Sequence, residues 1–167
     1  MIQPITVRPL EGGYYQIIAG ERRWRAARMA ELTEVPVRVL DADDRRVSEL
    51  ALVENLQRED LNPIEEARGL RALMTDYGMT QEEAAQSVGK SRSAVANSLR
   101  LLNLCPYVSE LLEQGLLSTG HAKCLLAIGD SAAQEAAANT IVAQGLSVRQ
   151  AERLCARLAK ETAKNDA

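Results

Sequence analysis

The chain has 167 residues, enough for one ordinary domain or two small ones. Apolar residues make up 46% but aromatics only 3%, with no Phe; the apolar mass is Ala, Leu and Val, which favours helices packed on helices. A formal net charge of -3 excludes a strongly basic nucleic-acid binder, while leaving open a local basic patch on an acidic protein.

Residues 5–8 (Ile-Thr-Val-Arg) and 14–18 (Tyr-Tyr-Gln-Ile-Ile) are predicted strands, joined by a hairpin turn at Glu11, Gly12 and Gly13. Gly20 ends the second strand. The spacing of Trp24, Ala27, Arg28 and Ala30 predicts a helix from Glu21 to about Glu31. A short strand is expected at 35–40, with Pro36 placing it at an edge or a strand start. From Asp43 onward the chain reads as helical. Val47, Leu50, Ala51, Val53 and Leu56 give the first long helix one apolar face. Asn62-Pro63 starts the next, with Glu65 and Glu66 suited to its N-terminus, and Tyr77-Gly78 ends it. Thr80 and Glu83 have capping-box spacing, Gly89 breaks that helix, and Ser91 caps one carrying Val95, Leu99 and Leu102. Pro106, Ser118, Ser131 and Ser147 start four more helices, with Gly115, Gly129 and Gly145 as stops.

The fold class is therefore α+β, predominantly α. A small α/β segment over 1–60 precedes an all-helical domain over 61–162, and a frayed polar tail is expected over 163–167. Cys105, Cys124 and Cys155 are an odd number at wide spacing, without Cys-x-x-Cys, and His121 is the single histidine. They read as reduced, semi-buried cysteines of a cytoplasmic protein, with no structural zinc site. No run is long and apolar enough to span a membrane, and no signal peptide is expected.

The stretch from Gln81 to Leu99 has helix-turn-helix spacing. Ala85 is the small residue where two helices cross, Gly89 tolerates positive φ in the turn, and Val95 is the buried residue of the second helix. Ala84, Val88 and Leu99 complete a small core. No acidic residue lies between Glu83 and Glu110, whereas Lys90, Arg92 and Arg100 do. Ser91, Arg92, Ser93, Asn97 and Ser98 project outward: Arg can bond a guanine edge, Asn an adenine edge, and Ser a phosphate oxygen. Gln81, Arg100 and Asn103 flank them as further candidate DNA contacts. The alternative is an ordinary helical hairpin with a glycine turn.

Two other segments carry candidate chemistry. Ala19-Gly20-Glu21-Arg22-Arg23 lies between a strand and a helix, where a glycine lets phosphate approach and the helix N-terminus offers N–H groups. Two arginines can clamp a polyphosphate, or simply be a solvated helix start. Glu54-Asn55-Leu56-Gln57-Arg58 closes the first long helix. Glu54 beside Asn55 suits Mg²⁺ bridging to phosphates, while a surface salt bridge from Glu54 to Arg58 on the same face is the bland alternative.

Together the segments become specific. Gly-Glu-Arg-Arg-Trp-Arg-Ala at 20–26, Glu-Asn-Leu-Gln-Arg-Glu at 54–59 and a helix-turn-helix from Thr80 resemble the ParB family, as do Gln3-Pro4-Ile5 and Gly120-His121-Ala122. The resemblance runs from Met1 to about Leu158. It implies a bacterial chromosome- or plasmid-partitioning protein that binds a palindromic centromere-like site (parS) as a CTP-dependent sliding clamp. It implies that Gly20, Glu21, Arg22 and Arg23 hold the phosphates of CTP or CDP, that Glu54 and Asn55 bind Mg²⁺, and that Arg58 supports the site. Slow CTP hydrolysis is implied too, with Glu54 the nearest candidate catalytic group. Arg92 and Gly120 resemble the partition type rather than the nucleoid-occlusion type. Ser98 is small, as in the partition type, and Asn103 decides little. His121 and Lys123 are placed like additional DNA contacts, with a half-buried capping histidine as the alternative for His121. The implied partners are double-stranded DNA, a second copy of the chain, a ParA-type ATPase and condensin, at the nucleoid. Family members usually carry a segment before Gln3 and a C-terminal dimerisation domain, so the chain reads as truncated at both ends. A helix-turn-helix transcription regulator or a nucleoid-occlusion factor is the rival reading; a nuclease ranks last, because Glu54 has no obvious second carboxylate.

Overall fold

The computed structural model describes residues 3–58 and 60–165. Met1, Glu59 (the last residue of the Glu-Asn-Leu-Gln-Arg-Glu segment), Asp166 and Ala167 lie outside the described residues. The chain divides into two compact units, Met1–Arg58 and Glu59–Ala167. The architecture is α+β and predominantly α, as the sequence predicts.

In the first unit, β1 (Ile5–Pro9) and β2 (Tyr15–Ala19) form an antiparallel hairpin. β3 (Val37–Val39) pairs with β1 in parallel, Ile5 opposite Val37 and Val7 opposite Val39, giving the order β2-β1-β3. A parallel pair needs a crossover, and α1 (Glu21–Met29) supplies it. Alternation along central β1 buries Ile5 and Val7 beside Ile18 of β2. α2 (Asp44–Leu56) is capped by Asp43, whose carboxylate accepts from the Arg46 N–H at 2.8 Å, and it packs on β2. Arg8 fastens β1 to the start of α2, bonding the Ala42 carbonyl at 3.3 Å and Asp44 at 2.5 Å. The expected apolar face of α2 is buried only at Leu56; Val47, Leu50 and Val53 are half-buried and Ala51 is exposed. A three-stranded sheet with a strand of three residues covers only part of a thirteen-residue helix. Arg58 lies beyond the C-cap Gln57, so it does not continue the helical face of Glu54.

The second unit is helical: α3 (Pro63–Thr75), α4 (Gln81–Val88), α5 (Arg92–Arg100), a 3-10 turn (Leu101–Asn103), α6 (Pro106–Glu113), α7 (Thr119–Leu125), α8 (Ser131–Gln144) and α9 (Val148–Asn165). α3 begins as its sequence dictates, with Pro63 in the first turn and the Asn62 side chain accepting from the Ile64 N–H at 2.8 Å. Leu70, Leu73, Val95, Leu101, Val108, Leu125, Ile128 and Ile141 are fully buried. Among the described residues, one polar side chain joins them. Gln134 accepts from the Cys105 N–H at 2.7 Å and donates to the carbonyls of Leu125 and Ile128 at 3.1 and 3.2 Å.

Ser131 starts α8 as expected, and Asp130 caps it by accepting from the Ala133 N–H at 2.7 Å. One expectation is corrected. α7 stops at Leu125 through the turn bonds Ala127 N–H to Cys124 and Ile128 N–H to Leu125, so Gly129 does not end it. Residues 163–165 lie in α9. Among the described residues no helix is long and apolar enough to cross a membrane.

Candidate functional site

α4 and α5 form the helix-turn-helix. The Thr80 N–H and hydroxyl both donate to Glu83 Oε2, at 2.8 and 2.9 Å, while the Glu83 N–H donates to Thr80 Oγ1 at 3.2 Å. These bonds favour the ionised Glu83 and hold its carboxyl below the ordinary range. Gly89 ends α4 at φ 70°, a left-handed conformation that a Cβ would strain. Ser91 starts α5 by accepting from the Ala94 N–H at 3.1 Å, and its hydroxyl lies 3.0 Å from that of Ser93. Ala84, Ala85, Val88 and Val95 are buried and Leu99 is half-buried.

That packing fixes which side of α5 faces outward. Ser91, Arg92, Ser93 and Asn97 are exposed, as is Arg100 in the last turn. Asn103 is exposed in the 3-10 turn, and Gln81 is half-buried at the first position of α4. Ser98 is half-buried, and its hydroxyl donates to Glu66 Oε1 of α3 at 2.9 Å. The other Glu66 oxygen holds Lys90 Nζ at 2.6 Å. Ser91, Ser93, Asn97 and Ser98 share an open concavity of about 450 Å³ with Thr119 and Lys123 of α7. Residues of α5 and of the start of α7 thus lie on one surface. Glu66, Lys90 and Thr119 on this surface were not singled out as site residues in the sequence, because their contacts join separate helices.

Two α7 residues are engaged inside the fold. His121 Nδ1 accepts from the Ser118 N–H at 3.3 Å and lies 3.1 Å from Ser118 Oγ, so the ring completes a capping box. The other ring nitrogen, Nε2, is buried with no partner among the described residues. The Ser-x-x-His spacing carried this signal, with histidine in the place of the usual Glu or Gln. Gly120 sits where α7 meets α9: a Cβ there would lie 2.9 Å from Val148 Cγ2.

In the first unit, the strand-to-helix turn and the end of α2 border two adjoining concavities. One, about 390 Å³, is lined by residues 17–23 and Glu54; the other, about 480 Å³, by Arg22, Ala51, Glu54, Asn55 and Arg58. Arg22 and Glu54 line both. Gly20 is the N-cap of α1 at φ 102°. Glu21 pairs with Arg25 at 3.1 Å. Arg23 Nη1 donates to the carbonyls of Gln3 and Pro4 at 2.7 and 2.8 Å, and its guanidinium lies over Gly20, Nη2 being 3.1 Å from where a Cβ would stand. Arg23 therefore braces the turn, whereas Arg22 is exposed on both concavities. Glu54 and Asn55 offer one carboxylate and one amide oxygen. Such a pair fits Mg²⁺ that takes its remaining oxygens from phosphates and water, not an all-protein cage. Arg23 also lines an almost wholly apolar hollow of about 340 Å³ between α1 and residues 32–36, whose apolar walls do not suit a triphosphate.

Fold and site together define a helix-turn-helix protein with an N-terminal α/β unit. Residues 1–56 match the ParB N-terminal domain and residues 59–160 the ParB HTH domain. The chain belongs to the ParB family. It is 55% identical over 159 residues to the chromosome-partitioning protein Spo0J of Thermus thermophilus, covering 95% of this chain and 58% of that protein. It is 53% identical over 154 residues to the probable chromosome-partitioning protein ParB of Coxiella burnetii, covering 92% and 52%. The chain thus spans little more than half the length of these relatives. Among solved structures, the C-terminally truncated ParB of Caulobacter crescentus complexed to the centromeric parS site is 48% identical, with a TM-score of 0.86 over 93% of this chain and 83% of that one. A ParB DNA-binding domain complexed to parS is 46% identical, with a TM-score of 0.57 over 65% and 88%.

Proposed function

We propose that the chain recognises a palindromic, centromere-like DNA site of the parS kind and works in DNA partitioning. The observation that carries this is the outward side of α5: Arg92, Ser93 and Asn97 are exposed on a helix with no acidic residue, and Ser93 and Asn97 share a concavity with Lys123. Arg92 and Asn97 supply base-edge donors and acceptors, while Ser91, Ser93, Arg100 and Lys123 supply phosphate contacts. The relative of TM-score 0.86 is described as bound to parS. A palindrome calls for two copies related by a two-fold axis, so the working form is a homodimer on DNA. His121 and Gly120 support α7, and Gln81 and Asn103 lie at the edge of the contact surface.

A nucleotide-binding segment over 1–60 holds CTP or CDP with Mg²⁺, and a helical segment over 61–162 reads DNA. Gly20 and the α1 N-terminus admit the phosphates, Arg22 neutralises them, and Arg23 keeps the turn in shape. Glu54 and Asn55 hold the metal, Arg58 closes the second concavity, and Glu21 lies at the rim. Mg²⁺, when bound, supplies charge neutralisation at the phosphate oxygens. Glu54 is the nearest group to orient an attacking water, making slow CTP hydrolysis the accompanying activity. The same reading makes a ParA-type ATPase and condensin the partner proteins, and the nucleoid the place of action.

The test is fluorescence anisotropy on a parS-type palindrome and a scrambled duplex at fixed physiological salt, with and without CTP–Mg²⁺. A clear preference for the palindrome is expected, lost in Arg92→Ala far more than affinity for scrambled DNA. A transcription regulator without nucleotide would keep its DNA behaviour unchanged in Arg22→Ala and Asn55→Ala. Equal, salt-sensitive binding to both duplexes would overturn the site-specific reading.

A further inference from the structure

Glu66 is a carboxylate set among groups that would face phosphate. Its side chain is only 20% exposed, and both oxygens are used: Oε1 by the Ser98 hydroxyl at 2.9 Å and Oε2 by Lys90 Nζ at 2.6 Å. Lys90 follows Gly89 in the turn, and Ser98 lies in the second half of α5. One α3 side chain therefore ties the turn and the recognition helix to the scaffold, from inside the concavity lined by Ser91, Ser93, Asn97 and Lys123. An acid there lowers the positive potential where a DNA backbone would come, and an ammonium held at 2.6 Å is neutralised before any phosphate arrives.

Resting on the DNA-binding reading above, we propose that Glu66 is a specificity-determining positioning residue. It withholds Lys90 from phosphate contact, which limits sequence-independent affinity. Its bond to Ser98 holds α5 in the orientation that presents Arg92 and Asn97. Phosphate contacts contribute affinity without sequence information. The withheld cation lowers affinity for both kinds of duplex alike, while the stiffened reading helix carries the discrimination.

Glu66→Gln separates the two effects, because the amide oxygen still accepts from Ser98 while the charge that holds Lys90 is gone. The measurement is the salt dependence of binding to the palindrome and the scrambled duplex by the whole chain. One released lysine steepens the slope of log K against log salt by about 0.9 on both duplexes, so the gain in affinity at 50 mM salt exceeds that at 200 mM by about threefold. The palindrome-to-scrambled ratio stays as in the parent. Glu65→Gln, which changes net charge equally at an exposed neighbouring residue, leaves the slope unchanged, and Lys90→Gln added to Glu66→Gln restores it. Glu66→Ala removes the Ser98 bond as well and lowers the ratio. A Glu66→Gln slope equal to the parent's or to that of Glu65→Gln overturns the withholding of Lys90; an unchanged ratio in folded Glu66→Ala overturns the brace. If the parent itself shows no palindrome preference, the DNA-site reading has failed, and the slope on scrambled DNA still decides the fate of Lys90.

Discussion

Replacing Gln134 by leucine removes the one buried polar side chain found among the described residues and leaves its backbone partners behind. Three bonds are lost. The Leu125 carbonyl still accepts from the Ile128 N–H at 3.0 Å, so the groups most exposed to loss are the Cys105 N–H and the Ile128 carbonyl. Each unsatisfied buried backbone group costs about 1–3 kcal/mol, and the apolar leucine offsets part of the sum, leaving a loss of about 3 kcal/mol. For a unit of this size that corresponds to a fall of roughly 10 °C in Tm. Scanning calorimetry on the whole chain reads the helical unit's transition. Amide exchange localises the defect, since Cys105 is the N-cap of α6 and Gln134 holds its N–H. A Tm within about 2 °C of the parent, with unchanged protection at Cys105, would refute the argument that this side chain locks α6, α7 and α8 together.

Gly120→Ala drives a methyl into Val148 and is expected to destabilise by about 1–3 kcal/mol; Val148→Ala in the same chain restores both stability and DNA affinity, whereas a Gly120 that acted only by contacting DNA would not be rescued. Glu83 is ionised more easily in the folded than in the unfolded chain, so its contribution is complete above its ordinary pKa of 4.5 and is lost as pH falls through its lowered value. Glu83→Gln keeps an acceptor for Thr80 but does not titrate, so urea melts between pH 3 and 6 should show a shallower acid loss than the parent. Burial, and then the neighbouring Cys124, push the Cys155 thiol up to about 11, and burial followed by Glu152 raises that of Cys124. At pH 8 iodoacetamide should therefore modify Cys155 only after unfolding and Cys124 slowly; rapid native labelling of Cys155, followed by mass spectrometry, would contradict the packing of α7 on α9.

What was legible in the sequence is what is decided within a few residues. Thr80–Glu83, Asn62-Pro63, Gly89 and Ser91 act over one helical turn, and their caps stand where the residue types put them. The segment 20–23 and the pair Glu54–Asn55 were visible as chemistry, but not their geometry. Arg23 reaches back to carbonyls at Gln3 and Pro4, and this is a tertiary fact with no local signature. The same holds for Glu66, whose partners Lys90 and Ser98 lie 24 and 32 residues on, and for Gln134, which reads as an ordinary polar residue in an alanine-rich helix. The apolar stripe on α2 was legible, but its burial depends on the width of the sheet beneath it.

The helix-turn-helix divides its labour between two sides of one short helix. α5 is seated by Val95 and Leu99 and steadied from α3, while Arg92, Ser93 and Asn97 look outward and bear little of the packing. Substitutions at those outward positions therefore cost the fold little, commonly within about 0.5 kcal/mol at surface sites. With α5 reading DNA as proposed, a lineage can change the bases it addresses without first acquiring stability to spare. The mount cannot drift so easily, since a change at Glu66 disturbs Lys90 and Ser98 at once. Divergence in DNA preference among related chains should accumulate on the exposed side of α5, with its seat left in place.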